Sequence, residues 1–90
     1  MSTDSLYIYA LLYSIGRSGH VVVEVAQLIA RDIGKLENDT LRYIMVELHA
    51  ALGNETRHQG MELERQTWGV LKGICQIELS RRAMENPTWN

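Results

Sequence analysis

The sequence lacks most features that mark catalysis, metal binding or export. It has one cysteine, Cys75, so no disulfide can form within the chain, which fits a reducing compartment. It has neither an HExxH nor a CxxC motif, and its three histidines are spread along the chain, so we expect no metal and no cofactor. Its serines have no nucleophile elbow around them, and residues 16–19 are not a phosphate-binding loop. The sequence therefore predicts a protein that is not an enzyme.

A large charge and a long hydrophobic run are also missing. Eleven acidic residues oppose nine basic ones, seven of them arginines, and the net charge is −2. This balance excludes a strongly basic nucleic-acid-binding domain but allows a local basic patch. The densest apolar run covers only residues 6–15, whereas a membrane-spanning helix needs about 20 residues. Because Asp4 precedes the run where a signal peptide carries positive charge, we expect a cytoplasmic protein with no membrane contact.

Glycines and charges divide the chain into four predicted helices. Gly16, Gly34 and Gly53 each follow a run of helix-compatible residues, where helices commonly end. Acidic residues lie at several predicted starts and basic residues at several predicted ends, as the helix dipole favours. The predicted helices cover residues 4–15, 22–33, 39–52 and 56–82.

Local signals support these boundaries in some places and leave alternatives in others. Asn38 is a plausible N-cap for the third helix, and Thr56 with Gln59 has capping-box spacing for the fourth. The β-branched segment 21–25 could instead form a short strand. Gly60 and two later glycines each disfavour the last helix by up to about 1 kcal/mol relative to alanine. A break near Gly60, or a hairpin over residues 57–68, is therefore an alternative to a continuous helix.

The predicted architecture is all-α: a small bundle of about four helices with a long C-terminal helix, forming a dimer. Residues 1–86 make a single helical domain, since ninety residues allow one modest core. Pro87 cannot continue the last helix, so residues 87–90 are predicted to be a flexible tail.

The last predicted helix carries apolar residues on two sides. One ridge consists of Val70, Ile74 and Ile77. A second ridge, about 120–160° away around the helix, consists of Trp68, Leu71, Cys75 and Leu79. Together they span about 200°, twice the arc that a helix needs to cover its own domain. We predict that the second ridge forms a homodimer interface, because a C2 dimer repeats one patch on both subunits.

Three further residues are predicted to bind a protein target. Arg65 and Lys72 belong to the polar stripe of the last helix, and charged rims commonly surround an apolar interface centre. Trp89 lies beyond Pro87 with no evident core to join, and tryptophan is enriched at interface hot spots.

DNA binding is the alternative function. Residues 25–53 have the apolar rhythm of a helix-turn-helix and resemble the start of a winged-helix domain, whose wing would come from residues 57–68. Within the would-be recognition helix, which opens at Glu37, only Arg42 and Tyr43 suit contact with DNA. Glu37 and Asp39 place acids where phosphates would lie, which argues against a transcriptional regulator of this type.

The helix layout also suggests a mode of action. With Ser18 and Gly19 in the first loop, and apolar spacing from Leu41 to Leu48, it resembles the small biofilm-regulator and two-component connector proteins of enterobacteria. The size and four-helix plan resemble quorum-sensing anti-activators. These resemblances imply a small helical dimer that regulates by occupying another protein, and no site residue is carried over from them. The predicted function is a host- or phage-encoded inhibitor, anti-activator or connector that binds a protein target without catalysis.

Overall fold

The structure, a computed structural model, describes residues 4–54 and 59–85. They form four α-helices and a short 3-10 helix: α1 (Asp4–Ser14), α2 (His20–Arg31), the 3-10 helix (Ile33–Lys35), α3 (Asn38–Gly53) and α4 (Glu62–Glu85). No strand occurs among these residues, and the segment 21–25 lies within α2. The all-α prediction with four helices is therefore confirmed, and the strand alternative is wrong.

The fourth helix begins later than predicted. Gly60 has a φ of 80°, a left-handed conformation that favours glycine, and it lies in the turn just before Glu62. A helix cannot pass through that conformation, so the break near Gly60 is the correct alternative and the hairpin is wrong for residues 62–68. The predicted capping box begins at Thr56, which lies outside the described residues, as does the predicted tail 87–90.

The four helices enclose one core. Its fully buried members come from every helix and include Leu11, Val22, Ile29, Leu41, Ile44, Leu48, Trp68, Leu71 and Cys75. Helix α1 packs against α2 and α3, and α4 packs against the same two helices from the other side. Within the described ranges, no Cα atom of α1 lies within 8 Å of a Cα atom of α4, and the same holds for α2 and α3. Around the bundle the order is therefore α1, α2, α4, α3, which places α1 diagonally opposite α4.

Helix α2 occupies a corner of this bundle. A nearly continuous apolar circumference, such as that of α2, favours a central helix covered on several sides. In the structure only Val22 and Ile29 are fully buried, whereas Val23, Ala26 and Ala30 stay half-buried on the side that adjoins α4. Helix α2 thus leaves part of its apolar surface uncovered beside α4.

Carboxylates from distant helices cap the starts of α2 and α3. The backbone N–H of Glu37, the N-cap of α3, donates to Asp4 Oδ2 over 2.8 Å, and the hydroxyl of Thr40 donates to the same oxygen over 2.7 Å. The N–H of Gly19, the N-cap of α2, donates to Glu64 Oε2 over 2.8 Å. Asn38, the predicted cap, is instead the first residue of α3. Capping here is supplied by tertiary contacts, which local spacing does not reveal.

A third buried carboxylate, Asp32, joins α1 to the end of α2. The hydroxyl of Tyr7 donates to Asp32 Oδ2 over 2.5 Å, and Arg31 forms an ion pair with the same carboxylate at 3.3 Å. The hydrogen bond to Asp32 raises the pKa of Tyr7. The hydrogen bonds from Arg31 and Tyr7 lower the pKa of Asp32, so the carboxylate stays charged at neutral pH.

Among the described residues, every helix is too short or too polar to span a lipid bilayer.

Candidate protein-binding surfaces

The residues predicted for dimerisation belong to the core of the chain itself. Trp68, Leu71 and Cys75 are at most 2% exposed, and Leu79 is half-buried against the same core. They face α2 and α3, the two helices that pack against α4. A second molecule cannot reach these three side chains in the folded chain. The homodimer stays a prediction, but the face assigned to it needs correction.

Cys75 is buried and chemically quiet. Its side chain is fully enclosed, and the loss of hydration raises the pKa of the thiol to about 11. A thiol with this pKa is protonated at neutral pH and is a poor nucleophile. Cys75 therefore acts as a small apolar core residue.

Two of the three predicted target-binding residues are used within the chain. The guanidinium of Arg65 donates from Nη2 to the carbonyl oxygen of Leu52 over 2.9 Å, so Arg65 joins α4 to the last turn of α3. Nζ of Lys72 lies 3.0 Å from Nδ1 of His49 on α3. Both side chains therefore connect α3 to α4, and their role in binding a target stays a prediction. Trp89 lies outside the described residues.

The exposed side of α4 carries the other apolar ridge. Val70 is 60% exposed and Ile77 is 70% exposed, and Ile74 between them is half-buried. Leu63 and Met84 extend the same line toward the two ends of the helix and are exposed as well. We call these five residues, Leu63, Val70, Ile74, Ile77 and Met84, the outer ridge of α4.

An apolar groove runs beside the outer ridge, between α2 and α4. Val23, Ala26 and Ala30 line it from α2, and Val70 and Ile74 line it from α4. Its volume is about 330 Å³. The small alanine side chains are the reason that the two helices leave this space, since they do not fill the gap between them. The groove and the outer ridge form one continuous apolar surface.

Helix α1 carries a second exposed apolar surface. Leu6, Tyr9 and Tyr13 project from one side of the helix, and both tyrosines are 60% exposed. The guanidinium of Arg17 lies 4.5 Å from the ring centre of Tyr13 and donates to its backbone carbonyl. We call Leu6, Tyr9 and Tyr13 the α1 stripe. The sequence signal for it is that α1 is apolar all round, although only one side can face the core.

An ion cluster on α4 holds this helix in position. Glu78 is nearly buried and accepts hydrogen bonds from Arg81 at 2.6 Å and from Arg82 at 2.8 Å. Arg82 also donates to Asn38 Oδ1 and to the carbonyl oxygen of Ile33. The cluster thus ties the C-terminal half of α4 to the start of α3. Its hydrogen bonds from Arg81 and Arg82 lower the pKa of Glu78 to about 2, from an ordinary value of 4.5.

Glu78 is expected to make folding sensitive to acid. Because its pKa is lower in the folded chain, its stabilising contribution is complete above about pH 4.5 and is lost as the pH falls toward 2. Glu78→Gln should therefore lower stability at neutral pH and flatten the fall in stability across this window. Urea unfolding midpoints measured at several pH values test this. Glu85→Gln is the matched control, since Glu85 also pairs with Arg81 but is exposed; equal effects of the two substitutions would contradict the assignment.

The residues of the DNA-binding alternative lie on the surface of α3. Arg42 Nη1 forms an ion pair with Asp39 Oδ1 at 3.2 Å, and Tyr43 is exposed. The acid therefore offsets the cation that would meet a phosphate. Helices α2 and α3, the pair that would form the helix-turn-helix, do not pack directly on each other in the described ranges. These observations give the DNA-binding alternative no added support.

Metal chemistry also finds no support in the described residues, where no group of three or more His, Cys, Asp or Glu side chains could hold an ion. No known protein family, curated protein or solved structure matches this chain. Its function is therefore argued from the two apolar surfaces.

Proposed function

We propose that this chain is a small cytoplasmic regulatory protein that binds a protein target through an exposed apolar surface, without catalysis. The observation that supports it is the grouping of large apolar side chains on α1 and on α4. Isolated apolar residues on a surface need no explanation, whereas contiguous exposed patches mark interaction sites. Inhibitors, anti-activators and connectors act by binding alone, so an exposed apolar surface is the feature that each of them needs.

The α1 stripe is the surface we assign to the target. Tyrosine is enriched at protein interfaces because it buries a large rigid ring while its hydroxyl can still hydrogen-bond. Arg17 adds a cation at the end of the stripe, beside Tyr13. The chemistry that complements this surface is an apolar helix face or groove on the target, with a carboxylate placed near Arg17.

Both tyrosines are expected to be needed for target binding. The chain should be purified with a tag from its native host, and each co-purifying protein then tested as a pure component by isothermal titration calorimetry. Tyr9→Ala with Tyr13→Ala should weaken the complex at least tenfold, since hot-spot residues contribute about 2 kcal/mol each, or roughly 30-fold in Kd. Because both side chains are exposed, helix content and unfolding midpoint should stay close to those of the parent chain.

Tyr43→Ala is the matched control, since Tyr43 is an exposed tyrosine on α3 and lies outside the stripe. It should leave the affinity unchanged. Recovery of duplex DNA with no protein would overturn the proposal in favour of the DNA-binding alternative. If a protein target binds the parent chain, the double variant and Tyr43→Ala with equal affinity, the binding site does not include the α1 stripe.

A further inference from the structure

We propose that the outer ridge of α4 binds the same ridge of a second copy of this chain, with the two helices antiparallel. In this dimer Ile77 of each copy lies opposite Val70 of the other, and Leu63 lies opposite Met84. The inference rests on the proposed function in that it supplies the dimeric form of the regulator. It uses a different side of the bundle from the α1 stripe, so the two can be tested separately.

The spacing of the exposed residues is the first argument. Leu63, Val70, Ile77 and Met84 follow one another at intervals of seven, the repeat of a helix that pairs along a single seam. Four equally spaced positions are symmetric about their midpoint, which falls between Gly73 and Ile74. An antiparallel copy therefore matches all four positions at once, and the two halves of the interface are identical, as C2 symmetry requires.

Charge decides the orientation. Arg81 lies on the same side of α4, one turn after Ile77, and its side chain is half exposed. Two parallel helices in register would place Arg81 against its own copy at the seam, which like charges oppose. In the antiparallel register Arg81, which pairs with Glu78 and Glu85 of its own chain, meets the neutral Gln66 of the second copy. At the ends of the pair Glu62 falls opposite the exposed Glu85. The antiparallel pair thus avoids the contact between two Arg81 side chains and brings opposite helix-dipole ends together.

The groove beside the ridge suits the side chains of a second copy. An antiparallel α4 that crosses near Gly73 would bring its own Ile77 toward Val70 and the groove against α2, lined there by Ala26 and Ala30. A Cβ atom added at Gly73 would meet nothing within 4 Å among the described residues, so the space beside it is open there. The missing side chain lets a second helix come close to the α4 backbone at the centre of the pair.

The size of the surface predicts a reversible dimer. From Leu63 to Met84 the ridge is about 32 Å long at about 1.5 Å per residue. A packed helix is about 10 Å wide, so the ridge covers roughly 320 Å². The α2 side of the groove raises the area that each copy offers to roughly 400 Å². Two copies then bury somewhat more than about 800 Å², below the roughly 1,200 Å² of stable specific interfaces and in the range of weak, transient ones. We therefore expect dimers that dissociate on dilution.

Sedimentation equilibrium of the full chain tests the association. The mass should rise from monomer to dimer between low micromolar and millimolar concentrations. Val70→Asp with Ile77→Asp should leave a monomer throughout that range, because two carboxylates would be buried at each half of the interface. Val46→Asp is the control: Val46 is 63% exposed on α3, away from the ridge, so its dimer should persist. A parent chain that is monomeric at every concentration overturns the proposal, as does a dimer that survives both aspartates.

Cysteine cross-linking tests the orientation. A Val70→Cys chain and an Ile77→Cys chain of different tag length are mixed and oxidised, with Cys75 left in place because its thiol is buried. The antiparallel dimer should give mainly the mixed 70–77 disulfide. Disulfides between identical chains in excess over the mixed product would show a parallel pair and overturn the arrangement. If the dimer fails these tests while Tyr9 and Tyr13 still control target binding, the proposed function stands without the dimer. If the dimer passes them while Tyr9 and Tyr13 have no effect on target binding, the dimer stands and the α1 stripe is not the target site.

Discussion

A chain carrying Leu71→Asp is expected not to fold at neutral pH. Leu71 is 2% exposed and contacts the shared core of all four helices. Removing a buried leucine side chain costs about 2–5 kcal/mol, and burying an unpaired carboxylate adds several kcal/mol more. The sum is comparable with the whole stability of a domain of this size, about 5–13 kcal/mol. Circular dichroism and the dispersion of amide NMR signals should both report an unfolded chain.

The adjacent residue gives a matched comparison. Val70→Asp introduces the same charge one position away, but Val70 is 60% exposed, so its carboxylate remains in water and the fold should persist. If Trp68, Leu71 and Cys75 formed the dimer interface, as the helical pattern predicts, Leu71→Asp would instead give a folded monomer. A folded Leu71→Asp chain would therefore contradict the placement of this side of α4 in the core.

Trp68→Ala is expected to have the second largest effect. Trp68 is the largest fully buried side chain among the described residues, and its replacement leaves a cavity that helices α2 and α3 cannot close without moving. Truncation of a buried tryptophan costs about 3–5 kcal/mol of unfolding free energy. Urea unfolding, measured at a concentration where the chain is monomeric, should show this loss as a lower midpoint with a similar slope.

Met84→Ala is the control for this prediction. Met84 lies on the same helix and is 82% exposed, so its loss should change the stability of the monomer by less than about 0.5 kcal/mol. The same substitution should nevertheless weaken dimerisation, since Met84 is at the end of the outer ridge. Equal destabilisation by Trp68→Ala and Met84→Ala would contradict the burial of Trp68.

The two proposed surfaces have a joint consequence for regulation. Because α1 and α4 lie diagonally opposite each other in the bundle, pairing through α4 leaves both α1 stripes of a dimer exposed. A dimeric regulator could then hold two copies of a target, or two sites of a dimeric target. Once one α1 stripe is bound, the second stripe of the dimer is held close to a second site on the same target. Its effective concentration at that site is raised, so the complex is tighter although no new kind of contact forms. Dilution below the dimer range would remove this gain.

Local sequence signals were sufficient to predict the four helices but not the start of α4 or the caps of α2 and α3. The glycine after the first helix, Gly16, does adopt a positive φ, and the predicted spans of the first three helices agree with the observed ones to within about two residues. The predicted start of α4 at residue 56 is wrong because Gly60 adopts a left-handed conformation, so the helix begins only at Glu62. The caps of α2 and α3 could not be predicted from spacing, since Glu64 and Asp4 reach them across the fold.

The sequence by itself determined that this chain forms four helices, that α4 has two apolar ridges and that α1 is apolar on every side. Periodicity carries that information because it depends only on the geometry of a single helix. Which ridge faces inward was decided by tertiary structure. Trp68, Leu71 and Cys75 pack on α2 and α3, and Val70 and Ile77 are left outside. The physical reason is that the burial of a ridge depends on which helices pack beside it. The order of the helices around the bundle is set by contacts along the whole chain, and the periodicity of a single helix does not contain it.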